Sequence, residues 1–213
     1  MIISVVALVA LNGGEETAVK IELSDGIHSE IQQHILLTTQ YVDLRIKKGE
    51  IDKDEYDEIV RAADICSAYK KGLSLLSYSD SSQKNLYYKL KSRGFEDDII
   101  NDAVLMLRDK GYLDDNTACI REAERCIKKL WGKNRIISHL YSKGFNDEAV
   151  KEAALIFNDI DFTENCQKLI LRDYKRRLTD ASEDKAAMTK LIAALMRMGY
   201  TNFEIRSALK GIL

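Results

Sequence analysis

The sequence predicts a mainly α protein: three tandem three-helix repeats forming an elongated curved array, with a small N-terminal β-hairpin and helix. Three observations carry this reading. A short phrase occurs three times, as Leu90-Lys-Ser-Arg-Gly94-Phe95, Leu140-Tyr-Ser-Lys-Gly144-Phe145 and Leu195-Met-Arg-Met-Gly199-Tyr200, each followed five residues after its aromatic by Ile100, Val150 or Ile205. Its glycines stand at 94, 144 and 199, so 50 and 55 residues apart. Glycine takes the left-handed conformation that ends a helix without penalty, so the phrase closes one helix and opens the next, and its recurrence marks a repeat array. The 213 residues also contain no proline, the residue that breaks helix interiors. Finally, residues 2–11 (IISVVALVAL) are β-branched and aliphatic and run into Asn12-Gly13-Gly14, the signature of a strand and turn.

Taken in order, residues 2–11 and the alternating Ala18–Leu23 form the hairpin. Met1–Leu11 lacks the basic flank of a signal peptide, since the first lysine is Lys20, and is too short to span a bilayer. From Ser29 a helix is expected, with Ile31, Ile35, Leu36, Val42 and Leu44 on one face, ending at Lys48-Gly49. Asp52 or Asp54 then caps a long helix to about Ser77, with Tyr56, Ile59, Val60, Ala63, Cys66, Ala68, Leu73 and Leu76 as its apolar positions. Tyr78–Ser82 breaks it. The remaining helices are expected at 82–93, 97–110, 115–130, 134–143, 147–158, 163–178, 185–198 and 202–213, with Thr179–Asp184 as a polar stretch that absorbs the five-residue difference in spacing. The corresponding segments are 1–53 (hairpin and helix), 54–113, 114–162 and 163–213 (one repeat each). No linker longer than about six residues separates them, so the repeats pack side by side.

Charge is unevenly placed. The formal net charge of -2 resolves into -6 over residues 1–63, where 12 acids meet 6 bases, and +4 over 163–213, where 10 bases meet 6 acids. Cys66, Cys119, Cys126 and Cys166 lie in apolar-periodic segments without a CxxC pair and read as buried thiols of a reducing compartment.

The residue types that carry catalysis are scattered. Asp114-Asp115 at a helix start reads as a cap and first-turn pair facing the helix dipole, not as a metal or catalytic pair. His28, His34 and His139 are scattered, and none is paired with a nucleophile. No GxxxxGK[ST] loop is present. Hydrolysis of ATP by the chain is therefore not expected, and no cofactor or metal site is expected. Phe95, Phe145 and Tyr200 are expected to fold back onto the core behind their glycines, and Trp131 beside Gly132 to pack between repeats. Of Tyr87 and Tyr88, one must point outward.

The order Ser82-Gln-Lys-Asn-Leu86-Tyr-Tyr-Lys-Leu90-Lys-Ser-Arg-Gly94-Phe95, then Gly111-Tyr112-Leu113-Asp114-Asp115, then Gly132 through Lys143-Gly144-Phe145, resembles the RecX family of recombination regulators over residues 64–213. The resemblance implies a cytoplasmic, monomeric, non-enzymatic bacterial protein of DNA repair and the SOS response, without a membrane segment. Its implied partner is the RecA recombinase filament with single-stranded DNA inside it, and its implied effect is inhibition of strand exchange. The chain departs from the family pattern where arginines often precede the serine matching Ser82: here stand Tyr78-Ser79-Asp80-Ser81. Ala118-Cys119 replaces the usual Phe-Ala, and Gln83 and Asn85 replace acidic residues.

Three basic clusters are the candidate contacts with partner or DNA: Lys84, Lys89, Lys91 and Arg93; Arg125, Lys128, Lys129, Lys133 and Arg135; Arg172, Lys175, Arg176, Arg177 and Arg197. A single such cluster is ordinarily a solvated helix face, but stacked repeats can align equivalent faces into one stripe facing phosphates or an acidic filament. Two other readings fit a repeated helix, glycine turn and helix: a helix-turn-helix protein that binds duplex DNA directly, and a helical scaffold for another protein.

Overall fold

Apolar, β-branched residues open the chain as a sheet. The computed structural model describes residues 2–212, the side chains of 181–183 excepted. Strands β1 (Ile2–Leu11) and β2 (Glu16–Ser24) form the expected hairpin through Asn12–Gly14. The helix expected from Ser29 is instead strand β3 (Ser29–Leu37), antiparallel to β2 from Ser24↔Ser29 to Glu16↔Leu37. The helix shrinks to α1 (Thr38–Asp43), and β4 (Gly49–Ile51) completes a sheet of order β3-β2-β1-β4. The apolar spacing of Ile31, Ile35 and Leu36 suits a helix, but nine residues of pairing satisfy the backbone groups along the open edge of β2, which a helix would leave bare. Pairing also brings Leu36 onto the sheet face of Val19 and Ile21, where all three are fully buried.

That face packs on Ile59 and Ala62 of α2 (Lys53–Tyr78). Asp52 starts this helix as expected: its carboxylate accepts from the Glu55 amide at 2.8 Å, and the Glu55 carboxylate accepts from the Asp52 amide at 3.0 Å. Further along α2, Ile65, Ala68, Tyr69 and Gly72 meet α3 (Gln83–Lys91) and α4 (Asp97–Asp109) over Leu86, Leu90, Ile100 and Leu107. A side-chain carbon at Gly72 would sit 2.6 Å from Leu107, so glycine sets how closely the two helices approach.

The chain divides into two compact units, 1–79 with 86–113 and 80–85 with 114–213. The second holds α5 (Asp115–Lys128), α6 (Lys133–Ser142) and α7 (Asp147–Ala153), the last continuing as a 3-10 turn over Ala154–Asp159. It continues with α8 (Phe162–Asp173), α9 (Lys175–Glu183), α10 (Lys185–Arg197) and α11 (Asn202–Lys210). One core joins the second and third repeats, with Cys119, Ile136, Leu140 and Val150 sharing it with Cys166, Leu169, Leu195 and Ile205.

The expected single helix over 163–178 is broken at Tyr174, whose backbone (φ -123°, ψ 12°) leaves the helical range. The stretch expected to be irregular is helical to Glu183, and Asp184 caps α10 by accepting from the Ala186 amide at 2.9 Å. The bend turns Leu178, the one aliphatic residue of α9, onto the core. This additional helix has no counterpart between α5 and α6.

The thrice-written phrase ends its helices as expected. At Gly144 (φ 84°) the Phe145 amide donates to Leu140 at 3.3 Å and the Gly144 amide to Tyr141 at 2.9 Å; at Gly199 (φ 94°) Tyr200 donates to Leu195 at 3.4 Å and Gly199 to Met196 at 2.9 Å. This is the Schellman arrangement, and the following aromatic closes it from the core side: Phe145 and Tyr200 are buried and Phe95 half-buried.

Each of the two later turns then docks on the helix corner of the repeat before it. The Lys143 carbonyl accepts from the Ser82 hydroxyl at 2.7 Å, and the Met198 carbonyl accepts from the Gly132 amide at 2.8 Å. Ser82 and Gly132 are themselves 50 residues apart, so the joint recurs with a side-chain donor in one case and a backbone donor in the other.

Candidate partner-binding surface

The densest group of candidate cations surrounds the corner between α5 and α6. Arg125 and Lys128 lie in the last turn of α5, where exposed carbonyls favour positive charge. Lys128, Lys129 and Lys133 are exposed. Between them Trp131 packs half-buried on the shared core. The Arg135 guanidinium lies 4.0 Å from its ring centroid, the Lys129 ammonium 5.6 Å away, and the His139 ring meets its edge at 5.2 Å. Hydrogen bonds from Gly132 to Met198 and from Asn134 to Gly199 bring up the end of α10, which carries the exposed Arg197. Five cations from one cluster and Arg197 from another thus meet at one corner.

The other candidates are engaged differently. On α3, Lys91 is held by Asp97 at 2.8 Å, Arg93 donates to the Lys89 carbonyl, Lys89 is half-buried, and Lys84 is exposed beside Gly144. Tyr88 is the outward tyrosine, whereas the Tyr87 hydroxyl donates to Asp97. In the third repeat Arg172 is paired with Asp173 at 2.7 Å and Arg177 lies over Tyr174, leaving Lys175 and Arg176 exposed on α9.

Sequence reasoning missed the network beneath the corner. Asp80 accepts from Arg125 at 3.0 Å and from Arg121 at 3.4 Å; Arg125 also reaches Glu122 Oε2 at 3.0 Å, and His139 Nε2 lies 2.6 Å from Glu122 Oε1. Burial opposes the Glu122 charge, but the hydrogen bond from His139 and the adjoining Arg125 outweigh it and hold the carboxyl below its ordinary value. Under this pair lies the buried Cys126, whose thiol burial pushes up. The available signals were the one-turn spacing of Glu122, Arg125 and Cys126 on α5, and an acid standing where arginines are usual. Asp114 and Asp115 are structural, as expected: Asp114 caps α5, and Asp115 accepts from the Gln83 amide at 2.8 Å.

The first unit has its own concavity, of about 700 Å³, lined by Thr38, Tyr69, Leu73, Tyr112 and two lysines. Of these Lys70 is paired with the buried Glu16 at 2.8 Å and Lys110 lies 5.0 Å from the Tyr69 ring centroid. Among the described residues no helix is long and apolar enough to cross a membrane.

Comparison with known proteins places this architecture. Residues 68–105 match the profile described as RecX, first three-helix domain. The chain is 31% identical over 147 residues to the regulatory protein RecX of Vibrio cholerae serotype O1 (strain M66-2), covering 69% of this chain and 94% of that one. It is 34% identical over 86 residues to the RecX of Geobacillus sp. (strain WCH70), covering 40% of this chain but 30% of that longer relative. A crystal structure of regulatory protein RecX superposes with a TM-score of 0.76 at 20% identity, over 97% of this chain and 98% of that one. That of RecX from Lactobacillus salivarius gives 0.60 at 21% identity, over 70% and 97%. With the repeat landmarks, the fold and near-complete coverage of the Vibrio relative in agreement, the chain belongs to the RecX family of regulatory proteins.

Proposed function

We propose that this protein binds the RecA filament on single-stranded DNA and inhibits strand exchange by occupying the filament, acting through binding alone and not through chemistry. The observation that carries the reading is family membership joined to the basic corner of α5 and α6. Lys128, Lys129, Lys133, Arg135 and Arg197 concentrate positive charge there beside Arg125, itself paired with Asp80 and Glu122, on a joint between repeats suited to phosphates or to the acidic surface of a protein filament. The protein acts as a cytoplasmic monomer, and its segments 1–53, 54–113, 114–162 and 163–213 are the units that meet successive parts of the filament. Lys84 and the exposed cations of α9 extend the contact.

A titration of RecA filament ATP hydrolysis and strand exchange tests this. The native chain is expected to slow both, with an affinity that falls steeply with salt. Changing Lys128, Lys129 and Lys133 together to Glu, all exposed, with the Lys129 ammonium over Trp131 and that of Lys133 over Phe157, is expected to weaken inhibition by at least tenfold with the helical circular dichroism intact. A native chain without effect on either reaction overturns the function; an undiminished triple variant removes this corner from it. Nanomolar binding to one duplex sequence without recombinase would instead favour the helix-turn-helix reading.

A further inference from the structure

We propose that Glu122, Cys126 and His139 form a zinc-binding site in the second repeat. Glu122 and Cys126 are one helical turn apart on α5, so their side chains leave the same face. His139 comes from α6, which packs against that face. Their ligand atoms all lie within 4.8 Å of one another, the one such convergence of three His, Cys or acidic side chains among the described residues.

The donor set suits zinc. One thiolate, one imidazole and one carboxylate make a mixed sulfur, nitrogen and oxygen environment of the kind borderline-soft Zn²⁺ prefers, whereas calcium and magnesium take oxygen ligands. Bond lengths of about 2.0–2.3 Å in a tetrahedral site place ligand atoms roughly 3.3–3.8 Å apart, so separations near the 4.8 Å limit must close by about 1 Å, while His139 Nε2 and Glu122 Oε1, now 2.6 Å apart, must part. Side-chain rotation at Glu122 and Cys126 can supply this without movement of the helix backbone. The surrounding contacts support the ligands: Arg125 Nε holds Glu122 Oε2 at 3.0 Å, which leaves Oε1 turned toward His139 and Cys126, and the Trp131 edge fixes the imidazole plane.

The side chains of Glu122 and His139 keep 16% and 23% of their exposure, which gives the ion an entry path and leaves a fourth position for water. On binding, the Cys126 thiol releases its proton to solvent and the imidazole binds through Nε2, so the direct His139–Glu122 hydrogen bond is replaced by two bonds to one ion. The metal would then clamp α5 to α6 directly beside the Arg125–Asp80 pair.

Cobalt is the probe, because a Co²⁺–thiolate bond absorbs in the near ultraviolet and Trp131, the single tryptophan, lies 5.2 Å from the His139 ring. Titrating the reduced, untagged full chain with Co²⁺ is expected to give the charge-transfer band at one ion per chain, with Trp131 fluorescence quenched in parallel and both signals reversed by Zn²⁺. Cys126→Ala is expected to lose the band, His139→Gln to weaken binding by more than the roughly 10- to 100-fold that an outer-sphere partner costs, and Cys119→Ala to change neither. Absence of the band from the native chain at saturating Co²⁺, or its survival in Cys126→Ala, would each overturn the site. None of these measurements involves a recombinase, so they stand apart from the proposed function.

Discussion

The Tyr200 hydroxyl donates to the Leu130 carbonyl at 2.8 Å, across 70 residues of sequence and from the third repeat to the second. Leu130 occupies the left-handed position that ends α5 (φ 59°), which a glycine normally takes. Its carbonyl therefore points out of the helix, and Tyr200, 2% exposed, is the group that meets it. Burial raises the phenol pKa, which keeps the hydroxyl protonated and donating.

Removing that hydroxyl tests how much of the joint it supports. Tyr200→Phe keeps the buried ring but strands the Leu130 carbonyl, and is expected to lower unfolding free energy by about 1–3 kcal/mol in urea titration. A variant within experimental error of the native chain would mean that solvent reaches the carbonyl.

A second test addresses the closest approach of the repeats. A methyl group at Gly132 would lie 2.3 Å from the Gly199 carbonyl carbon, and that neighbour is backbone, which cannot step aside as a side-chain tip can. Gly132→Ala is expected to destabilise by about 1–3 kcal/mol. Gly199→Ala should cost more, because its carbon would lie 2.4 Å from the Arg135 nitrogen and its φ of 94° is itself unfavourable for alanine. Equal thermal midpoints for all three chains would contradict the contact.

The third concerns Asp80, which pairs with both Arg121 and Arg125. On the proposed function, Asp80→Ala, which releases Arg121 and leaves Arg125 paired with Glu122 alone, should strengthen filament binding several-fold and steepen its salt dependence. Stability should fall by less than about 1 kcal/mol, since these are surface pairs. Unchanged or weaker binding, measured by fluorescence anisotropy of labelled filaments, would place Asp80 outside the contact.

The fourth uses pH. Burial lowers the His34 pKa from 6.5, with Asp64 opposing more weakly, and the Nε2 of this ring has no hydrogen-bond partner. A folded-state value below the unfolded one means that the unfolded chain binds the proton first. The stabilisation from neutral His34 is thus complete above about pH 6.5 and is lost as pH falls through the lower folded-state value. Urea midpoints should decline with acid in this window and decline less in His34→Phe. The lowered carboxyls of Glu122, Asp97 and Asp114 titrate below it and do not obscure the effect.

What was legible in the sequence was local. Gly144 with Phe145 and Gly199 with Tyr200 encode a helix end within six residues, and Asp52 with Glu55 encodes a helix start within four. Strand β3 was hidden because its stability comes from β2, whose paired residues lie from five positions away at Ser24↔Ser29 to 21 at Glu16↔Leu37, while its own apolar spacing suits a helix. The bend at Tyr174 was hidden because a single leucine, Leu178, decides it through a core contact. The basic residues could be named from the sequence but their partners could not: Asp97 claims Lys91 and Asp173 claims Arg172 through short contacts, whereas Asp80 claims Arg125 from 45 residues away. Residues 122 and 139 met for the same reason, through the packing of α5 on α6.

The joint at Gly132 also bears on how such a chain can change over evolutionary time. Because main chain touches main chain there, the spacing between the second and third repeats is insensitive to gradual substitution of the side chains around it. Surface charges can drift without altering the distance between the face of one repeat and the next. The ruler is written in two glycines, and the message it spaces remains free to vary.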